Sequence, residues 1–300
     1  MAAALLVCDW GSTSLRAWTL DPAGDVVARA VFPLGVNRLA PGEAARRFDE
    51  EVRPRLGAAA LPALLCGAIG SNVGWRAIPY VDCPAGLAEI AAAVAAVRED
   101  VWIVPGLRCR GLGGACDVLR GEETKAIGWL SLSPDHRRGH RLVCQPGTHP
   151  KWLVIEDGHV VRFLSAFTGE LFAVLSAHSI LRDDGQAHDP AAFEAGLAAA
   201  GEGDALLNRL YTARSRVAGD GAAPESTGSY LSGLLVGAEV AATPRLLGLV
   251  GERVLLLGDK AACDRYAVAL DRRGVALDLA DGEAAVLAGL VAIARLRGQL

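Results

Sequence analysis

Asp9-Trp10-Gly11-Ser12-Thr13 follows the short apolar run Leu5–Cys8, with Arg16 three residues beyond. A strand that ends in an acid and turns through glycine and hydroxyls offers N–H and O–H groups to an oxyanion. The acid beside them suits Mg²⁺, which takes few carboxylates and several phosphate oxygens. Pro146-Gly147-Thr148-His149-Pro150-Lys151-Trp152 is a comparable turn. It carries one of only three lysines, Lys125, Lys151 and Lys260, against 27 arginines. Either turn alone is more often just a turn. Together, facing each other, they would grip a polyphosphate from two sides.

Arg120-Gly121-Glu122-Glu123-Thr124 opens a predicted helix. Paired acids there first of all complement the helix dipole, but either one could be a general base removing a hydroxyl proton during attack on phosphorus. Leu255–Leu257 followed by Gly258 and Asp259 reads as a strand, a glycine and a helix start, a geometry that lets a flat heterocycle lie against backbone. Gly35-Val36-Asn37-Arg38 and Gly70-Ser71-Asn72-Val73-Gly74-Trp75 mix glycines with amide, hydroxyl and guanidinium groups. Asn37, Arg38, Ser71 and Asn72 therefore suit a polyhydroxylated anionic ligand, as well as ordinary loop chemistry. Thr168-Gly169-Glu170 reads as a helix cap. The histidines show no metal-ligand spacing, and neither Gly-x-Ser-x-Gly nor a Walker A loop is present.

The elements that must position these residues form a pattern that recurs. Strands are predicted at Leu5–Cys8, Leu15–Leu20 and Val26–Phe32, with a turn over Asp21–Asp25. A helix at Pro41–Leu56, a strand at Ala63–Cys66, a helix at Gly86–Val97, a strand at Val101–Val104 and a helix from about Gly121 follow. Beyond the polar stretch Ser133–Arg141 come strands at Arg141–Cys144, Trp152–Ile155 and His159–Leu164, the last two joined by Asp157-Gly158. Gly147 lies 136 positions after Gly11, and Gly158 lies 134 after Gly24, which points to a duplicated α/β unit. Helices near 190–200, 203–216 and 228–242, a strand Val254–Leu257, a helix Ala261–Arg272, a strand Val275–Leu279 and a helix Glu283–Leu296 complete the second copy. The expected division is 1–138, holding the acceptor and the first phosphate turn, and 139–300, holding the nucleotide, with the last helix able to pack back on the first domain.

Composition excludes several classes. Hydrophobic residues make up 52% and charged residues 21%, ample for a sizeable core. A net charge of −4 and no basic run of five or more argue against a nucleic-acid or anionic-membrane partner. The odd cysteine count of seven, with no CxxC pair and with Cys8, Cys66 and Cys144 in apolar runs, suggests reduced buried thiols. With no charged leader before Asp9, a cytoplasmic protein is expected.

These motifs together resemble the actin/hexokinase/Hsp70 superfold. Asp9–Thr13 resembles its first phosphate motif, Pro146–Trp152 stands at the second, and Leu255–Asp259 resembles the adenosine motif. More specifically, the chain resembles the 2-dehydro-3-deoxygalactonokinases across nearly its whole length. Leu15-Arg16-Ala17-Trp18, Gly70–Trp75, Arg120–Thr124, Pro146–Trp152 and Ser232–Glu239 are the other blocks that carry the likeness. The resemblance implies two duplicated ribonuclease H-like α/β domains with mixed sheets, flanking helices and an interdomain cleft. It implies transfer of the ATP γ-phosphate to the 6-hydroxyl of 2-dehydro-3-deoxy-D-galactonate, with Mg²⁺ held by Asp9 directly or through water. Gly11, Ser12, Thr13, Arg16, Gly147, Thr148, Lys151, Gly258 and Asp259 are the expected phosphate and nucleotide contacts. Glu123, then Glu122, is the expected base, and Asn37, Arg38, Ser71 and Asn72 the acceptor contacts. Gln145 stands where ATP-hydrolysing members carry an acid, which mildly favours a kinase. The partners expected are ATP and a small sugar acid, with a homodimer left open. A kinase for another sugar acid or amino sugar, an exopolyphosphatase-like hydrolase and a non-enzymatic ATP-gated protein are the rival readings.

Overall fold

The computed structural model describes residues 2–182 and 188–300. It divides into two compact units. The first comprises Met1–His140, Val154–Phe163 and Asp281–Leu300, and the second Arg141–Leu153 and Leu164–Ala280.

The first unit holds strands β1 (Leu5–Trp10), β2 (Leu15–Leu20), β3 (Val26–Phe32), β4 (Ala63–Cys66), β5 (Val81–Asp82), β6 (Ala95–Arg98), β7 (Val101–Ile103), β8 (Leu107–Arg110) and β9 (Cys116–Leu119). Six of them form one sheet in the order β3-β2-β1-β4-β7-β6. β1 to β3 make an antiparallel meander, while β4 runs parallel to β1 and β7 parallel to β4. Every residue of β1 is buried, as expected of a strand covered on both faces, whereas edge strand β3 exposes most of its residues. Trp10, Leu15, Phe48, Leu65 and Ile69 belong to the core packed on this sheet.

Two helices of the same unit, Glu122–Ser131 and Gly282–Leu296, lie in close contact. A Cβ at Gly128 would stand 1.7 Å from the Ala285 carbonyl oxygen, and one at Gly289 would stand 2.0 Å from that of Thr124. The two backbones meet only because both positions lack side chains, and the contact fixes the helix that carries Glu122 and Glu123.

In the second sheet the strands are β10 (His140–Gln145), β11 (Lys151–Glu156), β12 (His159–Ser165), β13 (Val254–Gly258) and β14 (Leu277–Asp281). Their order is β12-β11-β10-β13-β14, with β13 parallel to β10. A meander followed by a parallel neighbour repeats the plan β3-β2-β1-β4-β7, so the duplication read from the glycine spacing is a duplication of topology. Asp157 and Gly158 both have positive φ, 43° and 83°, the pairing a tight two-residue hairpin demands. The long buried helix Thr227–Leu247 packs with Pro190–Ala199, whose Leu197 and Phe193 are buried.

Three segments differ from expectation. Gly86–Val97 is not one helix: Leu87–Ala92 is helical, and Ala95–Arg98 is a strand pairing antiparallel with β7 across a short turn. The stretch near 203–216 is two short helices, Leu206–Leu210 and Thr212–Ala218. A small sheet in the order β5-β8-β9 was not anticipated at all. Among the described residues no helix is long and apolar enough to cross a membrane.

Candidate active site

In the first unit, Asp9 sits near the end of buried β1 and is only 6% exposed. Arg16, opposite it on β2, donates to its Oδ2 at 2.6 Å, and the Cys66 thiol donates to its Oδ1 at 3.9 Å. The turn after it is closed by the Gly11 N–H on the Ser14 carbonyl, which leaves Ser12 and Thr13 exposed. Asn37 and Arg38 come to this turn through the backbone: Val36 N–H donates to Gly11 and Asn37 N–H to Ser12. Both of their side chains are exposed.

Glu123 opens the Glu122–Ser131 helix and is fully buried. Its Oε2 accepts from the Gly121 N–H at 2.6 Å and its Oε1 from the Thr124 hydroxyl at 2.8 Å. Burial, reinforced by the like charge of Glu122, pushes its carboxyl up to about 7. Glu122 is half-buried, and its Oε2 accepts from the Arg120 N–H at 3.0 Å. Gly121, at φ 104°, makes the sharp entry: a Cβ there would come within 3.1 Å of the Gly67 Cα. A Cβ at Gly67 would in turn stand 3.3 Å from Asp9 Oδ1. The acid of the first turn and the paired acids of the helix therefore meet across the end of β4. The thiol of Cys66, at that end, is raised by burial and by the charges of both Asp9 and Glu123. Ser71 and Asn72 lie on the neighbouring loop after Ala68–Gly70, the first half-buried and the second exposed.

In the second unit, the turn Pro146–Pro150 rests on the start of the Thr168–His178 helix. A Cβ at Gly169 would stand 2.4 Å from the Gly147 carbonyl oxygen, and the Glu170 N–H donates to the Thr148 carbonyl at 2.9 Å. His149 pairs with Glu170 through its Nε2 and stacks on Phe167. Gly147 and Thr148 are exposed at the tip, while Lys151 is 6% exposed and donates to the His149 carbonyl at 3.1 Å.

Beside this turn opens a cavity of about 330 Å³, lined among others by Gly147, Thr168, Ser232, Arg265 and Tyr266. Gly258 abuts Pro146 at its edge, within 3.6 Å of where a Cβ would stand. The Asp259 carboxylate caps the Lys260–Asp271 helix, accepting from Ala261 and Ala262 N–H. Sequence reasoning missed Arg265 and Tyr266, and it read Thr168 and Gly169 as a cap without a pocket. The block Ser232–Glu239 was noticed without a role. The structure gives it one wall of the cavity and, at Glu239, a buried carboxylate receiving Trp152 Nε1–H at 2.7 Å, Tyr266 O–H at 2.8 Å and Thr168 O–H.

The family model for 2-keto-3-deoxy-galactonokinase matches residues 9–293. A probable 2-dehydro-3-deoxygalactonokinase of Rhizobium meliloti (strain 1021) is 34% identical over 296 residues, covering 96% of this chain and 95% of that one. The 2-dehydro-3-deoxygalactonokinase of Escherichia coli (strain K12) is 33% identical over 296 residues, covering 98% of each. The crystal structure of a Sinorhizobium meliloti protein named for the same activity has a TM-score of 0.85 at 32% identity, covering 99% of this chain and 100% of that one. At 13% identity and TM-score 0.51, the activator of 2-hydroxyisocaproyl-CoA dehydratase from Clostridium difficile shares the fold over 99% of this chain and 96% of its own. Topology, motifs and matches agree: the architecture is the actin/hexokinase-like superfold, and the chain belongs to the 2-keto-3-deoxy-galactonokinase family.

Proposed function

We propose that the protein transfers the γ-phosphate of ATP to the 6-hydroxyl of 2-dehydro-3-deoxy-D-galactonate in galactonate breakdown, giving the 6-phosphate and ADP. Family membership supports the reaction. The single structural observation that carries the mechanism is a fully buried carboxylate, Glu123, at a helix start whose entry glycine packs against Gly67 beside Asp9; burial pushes that carboxyl up to about 7. A general base works best when its pKa lies near the operating pH, and phosphoryl transfer needs a positioned base and charge neutralisation more than covalent chemistry.

In this reading Glu123 takes the proton from the 6-hydroxyl as its oxygen attacks phosphorus. Glu122, the more accessible of the two acids, keeps the helix start negative and helps hold the Glu123 pKa up. Asn37, Arg38, Ser71 and Asn72 contact the acceptor. The Gly11 N–H and the Ser12 and Thr13 hydroxyls meet phosphate oxygens, and Arg16 orients Asp9. In the second unit the Gly147–Thr148 tip and Lys151 take the phosphate chain, and the neighbouring cavity takes the nucleoside with Gly258 at its edge.

The donor set fits a magnesium ion brought in with the nucleotide. One carboxylate, Asp9, stands at the first turn, and among the described residues no group of three or more His, Cys, Asp or Glu side chains gathers to cage an ion. Asp9 would hold Mg²⁺ directly or through water, and the ion would neutralise charge on the phosphate oxygens when bound. The buried thiols of Cys8, Cys66, Cys144 and Cys263, all free, suit a cytoplasmic setting.

A coupled ADP assay with a panel of 2-keto-3-deoxy sugar acids tests the assignment. ADP release that depends on the galactonate-derived acid is expected. Release without any acceptor would mark a hydrolase, and silence with every acid would end the substrate assignment.

A further inference from the structure

The acceptor assigned above carries a carboxylate, and the one arginine among its proposed contacts, Arg38, has an exposed side chain. Arg120 lies on the segment that leads into the base-bearing helix. Its Nη2 donates to the Ile78 carbonyl at 2.6 Å, and its guanidinium carbon lies 4.4 Å from the centre of the Tyr80 ring. The group is held in place, yet its Nε and Nη1 are shut off from solvent with no hydrogen-bond partner. A guanidinium carries a fixed charge, and a donor buried without a partner is costly to the fold.

Nearby stands a second idle group: the Ser71 hydroxyl is also buried and unpartnered. Gly70 connects the two. A Cβ there would stand 2.9 Å from Arg120 Nη1 and 2.9 Å from Ile103 Cγ2, so the absence of a side chain lets this loop press against the guanidinium. Ile78 N–H donates to the Gly70 carbonyl, which ties the far end of the loop to the same place. The tip, Asn72 and Val73, is exposed.

Arg53, a buried arginine of the same unit, shows what a structural role looks like. Arg53 meets Asp100 at 2.5 Å and Asp49 at 3.2 Å, and donates to the carbonyls of Ala58 and Leu61. Arg120 has no carboxylate partner among the described residues. Its neighbour Glu122 gives an oxygen to the Arg120 backbone N–H instead. A fixed cation three residues before the proposed base and an idle hydroxyl on the loop packed against it are complementary to an anionic oxygen pair.

We propose that Arg120, with Ser71, binds the carboxylate of the sugar-acid acceptor and sets the preference for acids over neutral analogues. The assignment rests on the kinase reading above and adds to it the residue that recognises the acid.

The test is steady-state ADP release by wild type, Arg120→Met, Arg120→Lys and Ser71→Ala. Each is assayed with 2-dehydro-3-deoxygalactonate and with its C1 carboxamide, at saturating ATP. Wild type is expected to prefer the acid by about 100-fold in kcat/KM, the scale of charge-assisted hydrogen bonds lost together. Arg120→Met should abolish that preference by losing activity on the acid alone, and Arg120→Lys should recover part of it. Ser71→Ala should narrow the ratio by about 5-fold, the scale of one hydrogen bond. An unchanged acid-to-amide ratio in Arg120→Met would overturn the proposal, as would an equal loss on both acceptors in a protein with wild-type circular dichroism. If Arg120→Met does not fold, an unchanged ratio in Ser71→Ala overturns it. A wild-type enzyme inactive on every sugar acid would instead remove the kinase reading itself.

Discussion

Two buried glutamates, one in each unit, are treated differently by their surroundings. Glu123 has its carboxylate held within its own turn, by the Gly121 N–H and the Thr124 hydroxyl, and the charge of Glu122 pushes in the same direction as burial. Glu239 lies inside the Thr227–Leu247 helix and is held by side chains from three other elements: Trp152 on β11, Thr168 at a helix start, and Tyr266 on the Lys260–Asp271 helix. Its carboxyl is also raised by burial, but the three donors and the Lys151 charge all oppose the rise. Glu123 can gain or lose a proton while disturbing only its own turn. Protonating Glu239 would break the bonds that hold two cavity-lining residues, Thr168 and Tyr266, in place. One carboxylate is bonded within its own turn, the other is shared among three elements.

The largest effect should follow from Glu123→Gln. Turnover should fall by about 10²–10⁴-fold, the usual contribution of a positioned base, with the KM for ATP little changed. The wild-type rate should decline below about pH 7 as the carboxyl protonates, and that limb should vanish in the variant. Single-turnover kinetics across pH would show it. If Glu122→Gln loses the turnover while Glu123→Gln keeps it, the roles of the two acids are reversed.

Glu239→Leu comes next. It removes the acceptor of three donors, two of them buried, so a loss of roughly 3 kcal/mol is expected from orphaned groups at about 1–3 kcal/mol each. Denaturant unfolding measures the loss. The isosteric Glu239→Gln should fold and raise the KM for ATP with little change in the KM for the sugar acid, since the residues it holds line the second-unit cavity. Equal shifts in both constants would reduce Glu239 to a core residue with no bearing on the nucleotide.

A smaller effect separates the two carboxylates by pH. Burial raises the Glu123 carboxyl to about 7 in the folded protein against its ordinary 4.5, so the unfolded chain ionises first as pH rises. The stability that Glu123 contributes is complete below pH 4.5 and is lost as pH climbs through 7. The full shift corresponds to roughly 3 kcal/mol. Wild type should therefore lose stability relative to Glu123→Gln between pH 4.5 and 8, in paired unfolding curves. A pH-independent difference would mean that Glu123 is ionised throughout.

The same contrast marks what could be read before the fold was known. The turn Asp9–Thr13 and the acids at 122 and 123 were legible because their chemistry is local: a strand end, a tight turn, a helix start. The duplicated meanders were legible through glycine spacing. The sheet β5-β8-β9 was not, since a two-residue strand such as Val81–Asp82 is too short to show a period. Asp259 carried two local signals, a glycine-acid step and a helix cap, and its carboxylate serves the cap. Arg120 stood in view inside its motif, but that two of its guanidinium nitrogens go unpartnered can be recognised only once the neighbours are placed. Glu239 likewise looks like one more helical residue until β11 and two helices arrive with their donors.

Tyr266→Phe makes the smallest change and the most selective one. It removes a single donor to Glu239 and leaves Trp152 Nε1–H and the Thr168 hydroxyl in place, so the carboxylate stays partnered and the ring still packs. A loss of about 1 kcal/mol, the net worth of one hydrogen bond, is expected in denaturant unfolding. In the Glu239→Gln background the same change should have a different effect, because the amide can donate as well as accept and the tyrosine hydroxyl can reverse its role. A double-mutant cycle over wild type, Tyr266→Phe, Glu239→Gln and the pair reads that difference directly. Additive losses would show that the tyrosine and the glutamate do not work as one network. The contrast between a carboxylate bonded within its own turn and one shared among elements would then no longer hold.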